Sequence, residues 1–281
     1  MHIVPHEQQK VLLTMVLLSL FKERSRTLLA PSNKAILGEL IRANIKLINH
    51  NTFVGAMWSL FSPVIIFIFM YTIFHDIFGD VIPHYPFYLF IGITCVNFFI
   101  SLTSYSLYAL RNNKDVVVNS MTLRETVIIA NAVPHIYKFL LEMLVCIVIS
   151  LCMRLLTITT LVLLMPLLMS FIMMTMGIGL LLTIGFSFTR DVQHIWSLAA
   201  RLLFFLTPVF YSLDDVGPTI ARVQYILNPI TPYICAIRNT FLGAAASWWP
   251  VYLHCLAQGT VILGAVYVVF LILEHTIDEY V

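Results

Sequence analysis

Six stretches of the chain are apolar over the length that a helix needs to cross a lipid bilayer. They cover about residues 57–78, 86–110, 127–151, 158–187, 194–212 and 250–273. The hydrocarbon core is about 30 Å thick, so a crossing helix requires roughly 20 apolar residues. Charged residues make up only 11% of the chain, whereas a soluble domain has about 25%. The sequence therefore predicts an all-α integral membrane protein with six transmembrane helices, the fourth long enough to tilt or to break near Gly177 and Gly179.

The segment at residues 207–242 is mostly apolar yet contains four prolines, at positions 208, 218, 229 and 232. It lies between two long hydrophobic stretches, so we expect it to dip back into the bilayer as re-entrant helices over about residues 213–245, before the last span. Lipid cannot hydrogen-bond freed backbone groups, so broken helix at membrane depth survives only where it is buried in protein or lines a wet cavity. This pattern predicts a transport path beside the segment.

Lysine and arginine fall mainly on one side of the predicted spans. Seven precede the first span, and the loops on that side contain Arg111, Lys114, Arg124 and Arg190. The opposite side holds only Arg154, Arg222 and Arg238. Since cytoplasmic loops are enriched in Lys and Arg, we expect a multi-pass protein of the cytoplasmic (inner) membrane with both termini in the cytoplasm. Residues 1–31 would form a cytoplasmic extension, residues 32–275 the transmembrane domain and residues 276–281 a cytoplasmic tail.

Residues 33–50 have the pattern of an N-terminal amphipathic interface helix. Apolar side chains recur three and four positions apart, while Lys34, Arg42 and Lys46 lie elsewhere around the helix. A basic amphipathic helix lies in the plane of the lipid headgroups. It is either a simple anchor or a site that also meets anionic lipid, for which Arg42 and Lys46 are the candidates. A shorter apolar run at residues 11–21 is predicted to be a cytoplasmic interfacial or partner-binding element.

Complete signatures of metal, disulfide and nucleotide sites do not occur in the sequence. The five cysteines have no paired spacing, the HxxxH spacing occurs once, at His2 and His6 with Pro5 between them, and no GxxxxGK[ST] phosphate loop is present. The sequence therefore predicts no metal site and no cofactor on this chain. If ATP drives transport, the ATPase is another chain.

Several strings occur in the order and spacing of one family. GAMWSLFSP at residues 55–63, followed by YTIF at 71–74, resembles the opening of the first span in polysaccharide-exporting ABC permeases of the second type. TPVFYS at 207–212, NPITP at 228–232 and RNTFLG at 238–243 resemble that family's last-loop signature, and Arg190-Asp191 also fits. The resemblance covers about residues 35–275. The N-terminal extension is longer than the family usually has.

The resemblance implies a homodimer of six-span subunits that works with two cytoplasmic ATPase subunits, which bind ATP and Mg. Family members export lipid-linked glycans such as O-antigens of lipopolysaccharide, capsules or teichoic acids, and no nucleic-acid partner is expected. The re-entrant segment is then interpreted as a gate, whose candidate residues are Asn228, Pro229, Thr231, Pro232 and Arg238.

Aromatic side chains form a stripe on the first predicted span. Four of them recur at positions i, i+4, i+7 and i+11, on one helix face: Phe67, Tyr71, Phe74 and Phe78. In the fifth span Phe204 and Tyr211 share a face with Arg201. The stripes are either a canal on which a passing glycan stacks its C–H faces, or helix-packing surface, which is the commoner role of such stripes.

Arg201 is predicted to lie about two turns inside the cytoplasmic membrane boundary. Intramembrane charges are costly and are functional candidates by default, so Arg201 is a third candidate for the diphosphate head group of a lipid, beside Arg42 and Lys46. The alternative is that its side chain snorkels to the surface or pairs with a carboxylate. Lys138 and Glu142 lie four residues apart and are predicted to neutralise each other.

The polar loop at residues 111–125 follows the second predicted span. Given the resemblance, we expect it to form a short coupling helix that docks into a groove of the ATPase, with Arg111, Lys114, Asp115 and Arg124 as candidate contacts. Taken by itself, the loop would be interpreted as plain solvated chain.

The rival class is a membrane-embedded glycosyltransferase that uses a polyprenyl-linked donor. Such an enzyme needs acidic residues at the outer face as metal ligands or as a base. The external candidates are Asp76, Asp80, Asp214 and Asp215, but Asp76 and Asp80 lie one helical turn apart and Asp214 and Asp215 point in different directions. The sequence favours a transport subunit over an enzyme and assigns no catalytic residue.

Overall fold

The computed structural model describes residues 24, 27, 31–48, 53–79, 82–119, 123–213, 216–242 and 249–280. The helices in these ranges are α1 Pro31–Ile48, α2 Phe53–Phe78, α3 Tyr85–Ser106, α4 Ala109–Asn112, α5 Lys114–Asn119, α6 Arg124–Cys152, α7 Ile158–Phe188, α8 Val192–Leu206, α9 Pro218–Leu227, α10 Thr231–Phe241 and α11 Trp249–Tyr280. No strand occurs in this part of the chain, so the predicted all-α class is confirmed there.

Four of the described helices are long and apolar enough to cross a membrane, namely α3, α6, α7 and the Trp249–Glu274 part of α11. Two shorter apolar helices are Val64–Asp76 within α2 and Val192–Leu206, which is α8. At 15 residues, α8 rises about 22 Å, which is less than the hydrocarbon thickness of about 30 Å. The first and fifth predicted spans, and so the total of six, remain predictions.

Helix α3 is the centre of the packing. In the most apolar 18-residue stretch of α3, 67% of the residues are buried inside the protein, against 11% in the corresponding stretch of α11. It packs against α2, α6, α7 and α10. Phe98 of α3 stacks on Phe139 of α6 with ring centroids 4.2 Å apart, and Phe171 of α7 meets both rings edge-on. The aromatic core thus joins three of the long helices.

Helix α7 is continuous from Ile158 to Phe188, so the break considered near Gly177 and Gly179 does not occur. Glycine here permits close approach of helices. A Cβ on Gly177 would lie 3.0 Å from the backbone of Leu263 in α11, and a Cβ on Gly259 of α11 would collide with Ser170 of α7. Small residues let helix backbones approach closely in membranes, and α7 and α11 therefore pack along each other.

Helix α1 has the two faces that the sequence predicts. Its basic side chains Lys34, Arg42 and Lys46 are exposed, whereas its periodic leucines and isoleucines up to residue 45 are partly buried. The helix packs against α6, and Leu40 contacts a buried apolar cluster that includes Val127. Its position at the membrane surface remains a prediction. The predicted element at residues 11–21 lies outside the described residues.

Candidate functional site

The helix α8 ends at Leu206, well before the predicted end of the fifth span at residue 212. Thr207 adopts an extended backbone, with φ −83° and ψ 138°. Pro208 explains this, because proline disfavours helical conformation in the residue before it and has no N–H to donate. Residues 207–212, which we call the unwound segment, contain no α-helix. Their carbonyl groups need hydrogen-bond donors from elsewhere.

Arg238 of α10 supplies donors to the unwound segment. Its Nη1 donates to the Pro208 carbonyl at 2.6 Å and its Nη2 to the Val209 carbonyl at 2.8 Å. Its Nε donates to the Tyr88 carbonyl of α3 at 3.0 Å, and the guanidinium carbon lies 3.5 Å from the centroid of the Tyr88 ring. One side chain therefore joins α3, α10 and the unwound segment.

Arg238 is only 2% exposed, and none of the described ion pairs includes it. An isolated buried charge is very costly unless hydrogen bonds and nearby dipoles compensate it. Three carbonyl dipoles and the face of an aromatic ring provide that compensation here. Gly92 of α3 completes the site, because a Cβ at that position would collide with the guanidinium.

Two tyrosines from the first turn of α3 hold the rest of the unwound segment. The Tyr85 hydroxyl donates to the Phe210 carbonyl at 3.2 Å, and the Tyr88 hydroxyl donates to the Tyr211 carbonyl at 3.1 Å. On the other side, Asn228 Nδ2 donates to the Thr207 hydroxyl at 2.8 Å. We call Tyr85, Tyr88, Asn228 and Arg238 the carbonyl clamp.

The five candidate gate residues fall into two groups. Asn228 and Arg238 belong to the carbonyl clamp, and the Asn228 side chain also accepts a hydrogen bond from the Ile230 N–H at 3.0 Å. Pro229 lies in the turn between α9 and α10, and Thr231 and Pro232 begin α10 in buried positions. The proline-rich sequence thus makes two short helices, of which α10 is almost wholly buried and α9 has no buried residue. Whether they are re-entrant remains a prediction.

The aromatic stripe of α2 packs towards the carbonyl clamp. Phe67 stacks on Tyr71 and meets Phe90 edge-on. Phe74 stacks on Phe210 at 4.5 Å between ring centroids, and Phe204 meets the same ring at 5.7 Å. The side chain of Phe78 lies outside the described residues.

Phe210 therefore brings the two predicted stripes together, a role that the sequence analysis missed. Pro208 was the available signal, since proline ends the helix before it and so removes Phe210 from the helical face. Phe67, Tyr71, Phe74, Phe204 and Tyr211 are half-buried, and the Tyr211 hydroxyl accepts a hydrogen bond from Gln224 Nε2 at 2.6 Å. The surface combines aromatic faces with a few polar groups.

The three candidate head-group residues lie on two helices with different neighbours. Arg42 and Lys46 are exposed on α1, which packs against α6, whereas Arg201 is exposed on α8, which packs against α3 and α7. Arg42 pairs with Glu39 at 2.7 Å, and Arg201 Nε donates to the Ser197 carbonyl at 3.2 Å. A head-group role for them remains a prediction.

The four candidate coupling residues do not share one cavity or contact. Arg111 and Lys114 line a cavity of about 430 Å³, together with Arg190. Asp115 lines a different cavity, beside α1. Arg124 donates to Glu274 of α11 at 2.6 Å. Their contact with an ATPase remains a prediction.

Arg124 belongs to what we call the ion cluster, formed by Arg24, Arg124, Glu125 and Glu274. Arg24 pairs with both carboxylates, and the Tyr267 hydroxyl donates to Glu125 at 3.3 Å. Burial lowers the pKa of Arg24, but its hydrogen bonds and proximity to Glu125 and Glu274 raise it more, so the pKa lies above its ordinary value. Two cations and two anions thus tie Arg24, which precedes α1 in sequence, and the start of α6 to the C-terminal part of α11.

The predicted pair of Lys138 and Glu142 is confirmed, with Nζ and Oε1 3.9 Å apart. No group of three His, Cys, Asp or Glu that could hold a metal ion occurs among the described residues.

A helical membrane protein with a broken, buried segment is the architecture expected of a membrane transporter, and comparison with known proteins agrees. Residues 37–242 match the ABC-2 type transporter family. The chain belongs to this family, which confirms the resemblance inferred from its strings.

Curated relatives include the O-antigen export system permease protein RfbA of Klebsiella pneumoniae, 22% identical over 206 residues, which cover 73% of this chain and 79% of that protein. RfbA of Myxococcus xanthus is 24% identical over 212 residues, covering 74% of this chain and 80% of that protein. The chain is thus similar to O-antigen export permeases along most of the length of both.

Proposed function

We propose that the chain is the permease subunit of an ABC exporter that carries a lipid-linked polysaccharide, of the O-antigen, capsule or teichoic acid type, across the cytoplasmic membrane. The observation that carries the proposal is the carbonyl clamp. It fixes broken backbone in the interior of a helical membrane protein, next to two half-buried aromatic stripes. Irregular backbone at membrane depth is tolerated only where protein or a wet cavity surrounds it.

The aromatic stripes are the sugar-contacting surface in this proposal. Phe67, Tyr71 and Phe74 on α2, with Phe204 and Tyr211, offer ring faces to the C–H faces of a sugar, and Tyr71 and Tyr211 add hydroxyl groups. These contacts are weak and repeated, as sliding of a polymer requires. The clamp sets the position of Phe210, and Phe210 in turn supports Phe74 and Phe204.

The working unit is a homodimer of six-span subunits with two cytoplasmic ATPase subunits. Helices α2 and α8 are the first and fifth spans, α9 and α10 form the re-entrant segment before the last span, and both termini are cytoplasmic. Arg111, Lys114 and Asp115 face the ATPase, which binds ATP and Mg. The short α4 and α5 carry them at the cytoplasmic end of the second span.

The experiment is deletion of the gene and analysis of lipid-linked glycan in the membrane. We expect the finished polymer on its lipid carrier to accumulate at the inner leaflet and to disappear from the cell surface, and the wild-type gene to reverse both changes. Purified chain should hydrolyse no ATP by itself and should support hydrolysis together with its ATPase. A deletion strain that lacks the polymer altogether would instead indicate a glycosyltransferase. ATP hydrolysis by the lone chain would contradict the proposal that a separate subunit hydrolyses ATP.

A further inference from the structure

Polar side chains of α3 and α6 meet halfway along the two helices. Lys138 is the middle residue of α6, and Asn97 lies near the middle of α3. Both helices are long and apolar enough to cross a membrane, so these residues lie far from both membrane surfaces. A small cavity between the helices is lined by two phenylalanines and five polar side chains. We call the five, which are Asn97, Ser101, His135, Lys138 and Glu142, the mid-helix polar cluster.

Two buried polar atoms of this cluster lack a hydrogen-bond partner. His135 is 8% exposed and Glu142 is 6% exposed, and within the described part of the chain neither His135 Nε2 nor Glu142 Oε1 has a partner. Lys138 Nζ lies 3.9 Å from Glu142 Oε1, beyond the roughly 2.7–3.2 Å of an N–H···O hydrogen bond. Buried polar groups are nearly always bonded to protein or to ordered water, so the two atoms indicate a small polar ligand between them.

The cavity has the size and the chemistry of a site for one water molecule. Its volume is about 20 Å³, and a buried water needs roughly 10–15 Å³ together with two to four polar partners. The imidazole Nε2 donates or accepts according to its tautomer and the Glu142 oxygen accepts, whereas water can do both. Because the charges of Lys138 and Glu142 cancel, the site favours an ion of neither sign.

One side of the mid-helix polar cluster is open. The Lys138 side chain is 36% exposed, and Asn97 and Ser101 are half-buried. Tyr105, whose ring centroid lies 4.5 Å from that of His135, is also exposed. Ionisable and polar side chains within membrane helices are costly in hydrocarbon, and they face the protein interior or a water-filled cavity.

We infer that the mid-helix polar cluster is a hydrated site inside the membrane, in which one bound water bridges His135 Nε2 and Glu142 Oε1 and further water covers the open side at Asn97, Ser101 and Lys138. The bound water supplies the two buried atoms with hydrogen bonds, and the outer water solvates the ammonium. Acyl chains of lipid can do neither. Water thus reaches the middle of two helices that are apolar in composition.

The open side is tested by reaction of Ser101→Cys with a negatively charged, membrane-impermeant thiol reagent, on the full-length chain in nanodiscs. Leu140→Cys is the matched control, since Leu140 is 45% exposed and lies two residues from Lys138. Both variants carry Cys152→Ser, because Cys152 is the exposed native cysteine, and Cys152→Ser alone gives the baseline.

Exposure alone would make Leu140→Cys the faster of the two, because Ser101 is the more buried position. A thiol reacts as its thiolate, which forms in water and not in hydrocarbon. Ser101→Cys should therefore react at least tenfold faster than Leu140→Cys. Equal rates, or a faster reaction of Leu140→Cys, would overturn the hydrated open side, whether lipid or a second copy of the chain covers it.

The bound water is tested by solid-state NMR of the chain in lipid bilayers, with ¹⁵N in the histidine rings. Magnetisation should pass from water protons to His135 Nε2, and the peak that is missing in His135→Asn assigns the signal. Ser101→Val fills the cavity with apolar atoms and should remove the transfer. Ser197→Val is the control, since Ser197 is an exposed serine of α8, and it should leave the transfer unchanged. No transfer in the wild type, or transfer that persists in Ser101→Val, would overturn the bound water.

Neither measurement depends on the exported substrate. The gene-deletion experiment decides whether the chain exports a polymer, and the labelling and NMR experiments decide whether the mid-helix polar cluster is hydrated. The two inferences can therefore fail separately.

Discussion

The carbonyl clamp buries one arginine and the ion cluster partly buries two, and the two regions compensate the charge in different ways. In the clamp, Arg238 faces three backbone carbonyls and an aromatic ring, and no described ion pair includes it. In the ion cluster, Arg24 and Arg124 face Glu125 and Glu274. The cluster balances its formal charge and the clamp does not. The clamp should therefore depend on the shape of the guanidinium, and the cluster on the sign and number of charges.

The sharpest way to break this comparison is Arg238→Lys. An ammonium keeps the charge but has its donors on one atom, so it cannot reach the carbonyls of Tyr88, Pro208 and Val209 together. At least one buried carbonyl loses its donor, and we expect a loss of about 3–5 kcal/mol in the free energy of unfolding. The measurement is the amount of monodisperse protein extracted from membranes and its melting temperature.

Arg124→Lys is the matched control for that change, because an ammonium can still pair with Glu274. It should extract and melt much as the wild type does. If Arg238→Lys matches this control, the clamp depends on charge alone and the distinction between the two regions is wrong.

Gly92→Ala tests whether the space around the guanidinium is as tight as the hydrogen bonds suggest. A Cβ there would collide with Arg238, and overpacking of a buried site costs about 1–3 kcal/mol. Gly38→Ala on α1 is the matched control, since a Cβ at that position meets nothing within 4 Å. Alanine in a helix interior is favoured over glycine by roughly 0.5–1 kcal/mol.

The expected outcome is opposite shifts in melting temperature, downward for Gly92→Ala and level or upward for Gly38→Ala. Equal shifts in the melting temperature of the two variants would mean that the side chains of the clamp move aside at little cost. Arg238 would then be a mobile side chain.

How much of this fold can be predicted depends on how far apart in the sequence two contacting residues lie. The helical class and the Lys138–Glu142 pair depend on local pattern, and both are confirmed in the described part of the chain. Pro208 indicates a break in the helix. The fifth span was nevertheless predicted to run to residue 212, whereas α8 ends at Leu206. Arg238 was a candidate, but its partners Tyr88 and Pro208 were not, because no periodicity links residues 30 and 150 positions apart.

The ion cluster was missed for the same reason. Arg124 and Glu274 are separated by 150 residues, and Arg124 was placed with the coupling loop because it adjoins that loop in sequence. Long-range contacts depend on which helices pack against each other. The periodic pattern of a single sequence does not show which helices are neighbours. Phe210 shows the complementary case, in which a local break moves a residue out of its predicted helical face.

The ion cluster can be tested by a double-mutant cycle on Arg124 and Glu274, whose side chains are 18% and 7% exposed. Arg124→Gln and Glu274→Gln should each lower the free energy of unfolding, by about 1–2 kcal/mol, because each leaves an uncompensated charge. The double variant removes one charge of each sign and should cost clearly less than the sum. Chemical denaturation in detergent gives the coupling energy, and strict additivity would show that the two side chains do not interact.

Arg201→Lys extends the comparison to an arginine that is neither clamped nor paired with a described carboxylate. Arg201 is exposed, and its Nε donates to the Ser197 carbonyl at 3.2 Å. Lysine should therefore leave the melting temperature unchanged, in contrast to Arg238→Lys.

If Arg201 grips a lipid diphosphate with two parallel hydrogen bonds, Lys should still reduce export of the native glycan and Gln should reduce it more, because an ammonium offers only a point charge. If the side chain only snorkels, the long stem of lysine reaches the same interface and export stays at the wild-type level. Export normalised to the amount of permease in the membrane separates these outcomes, and wild-type export by Arg201→Lys would remove this residue from the head-group candidates and leave Arg42 and Lys46 in that role.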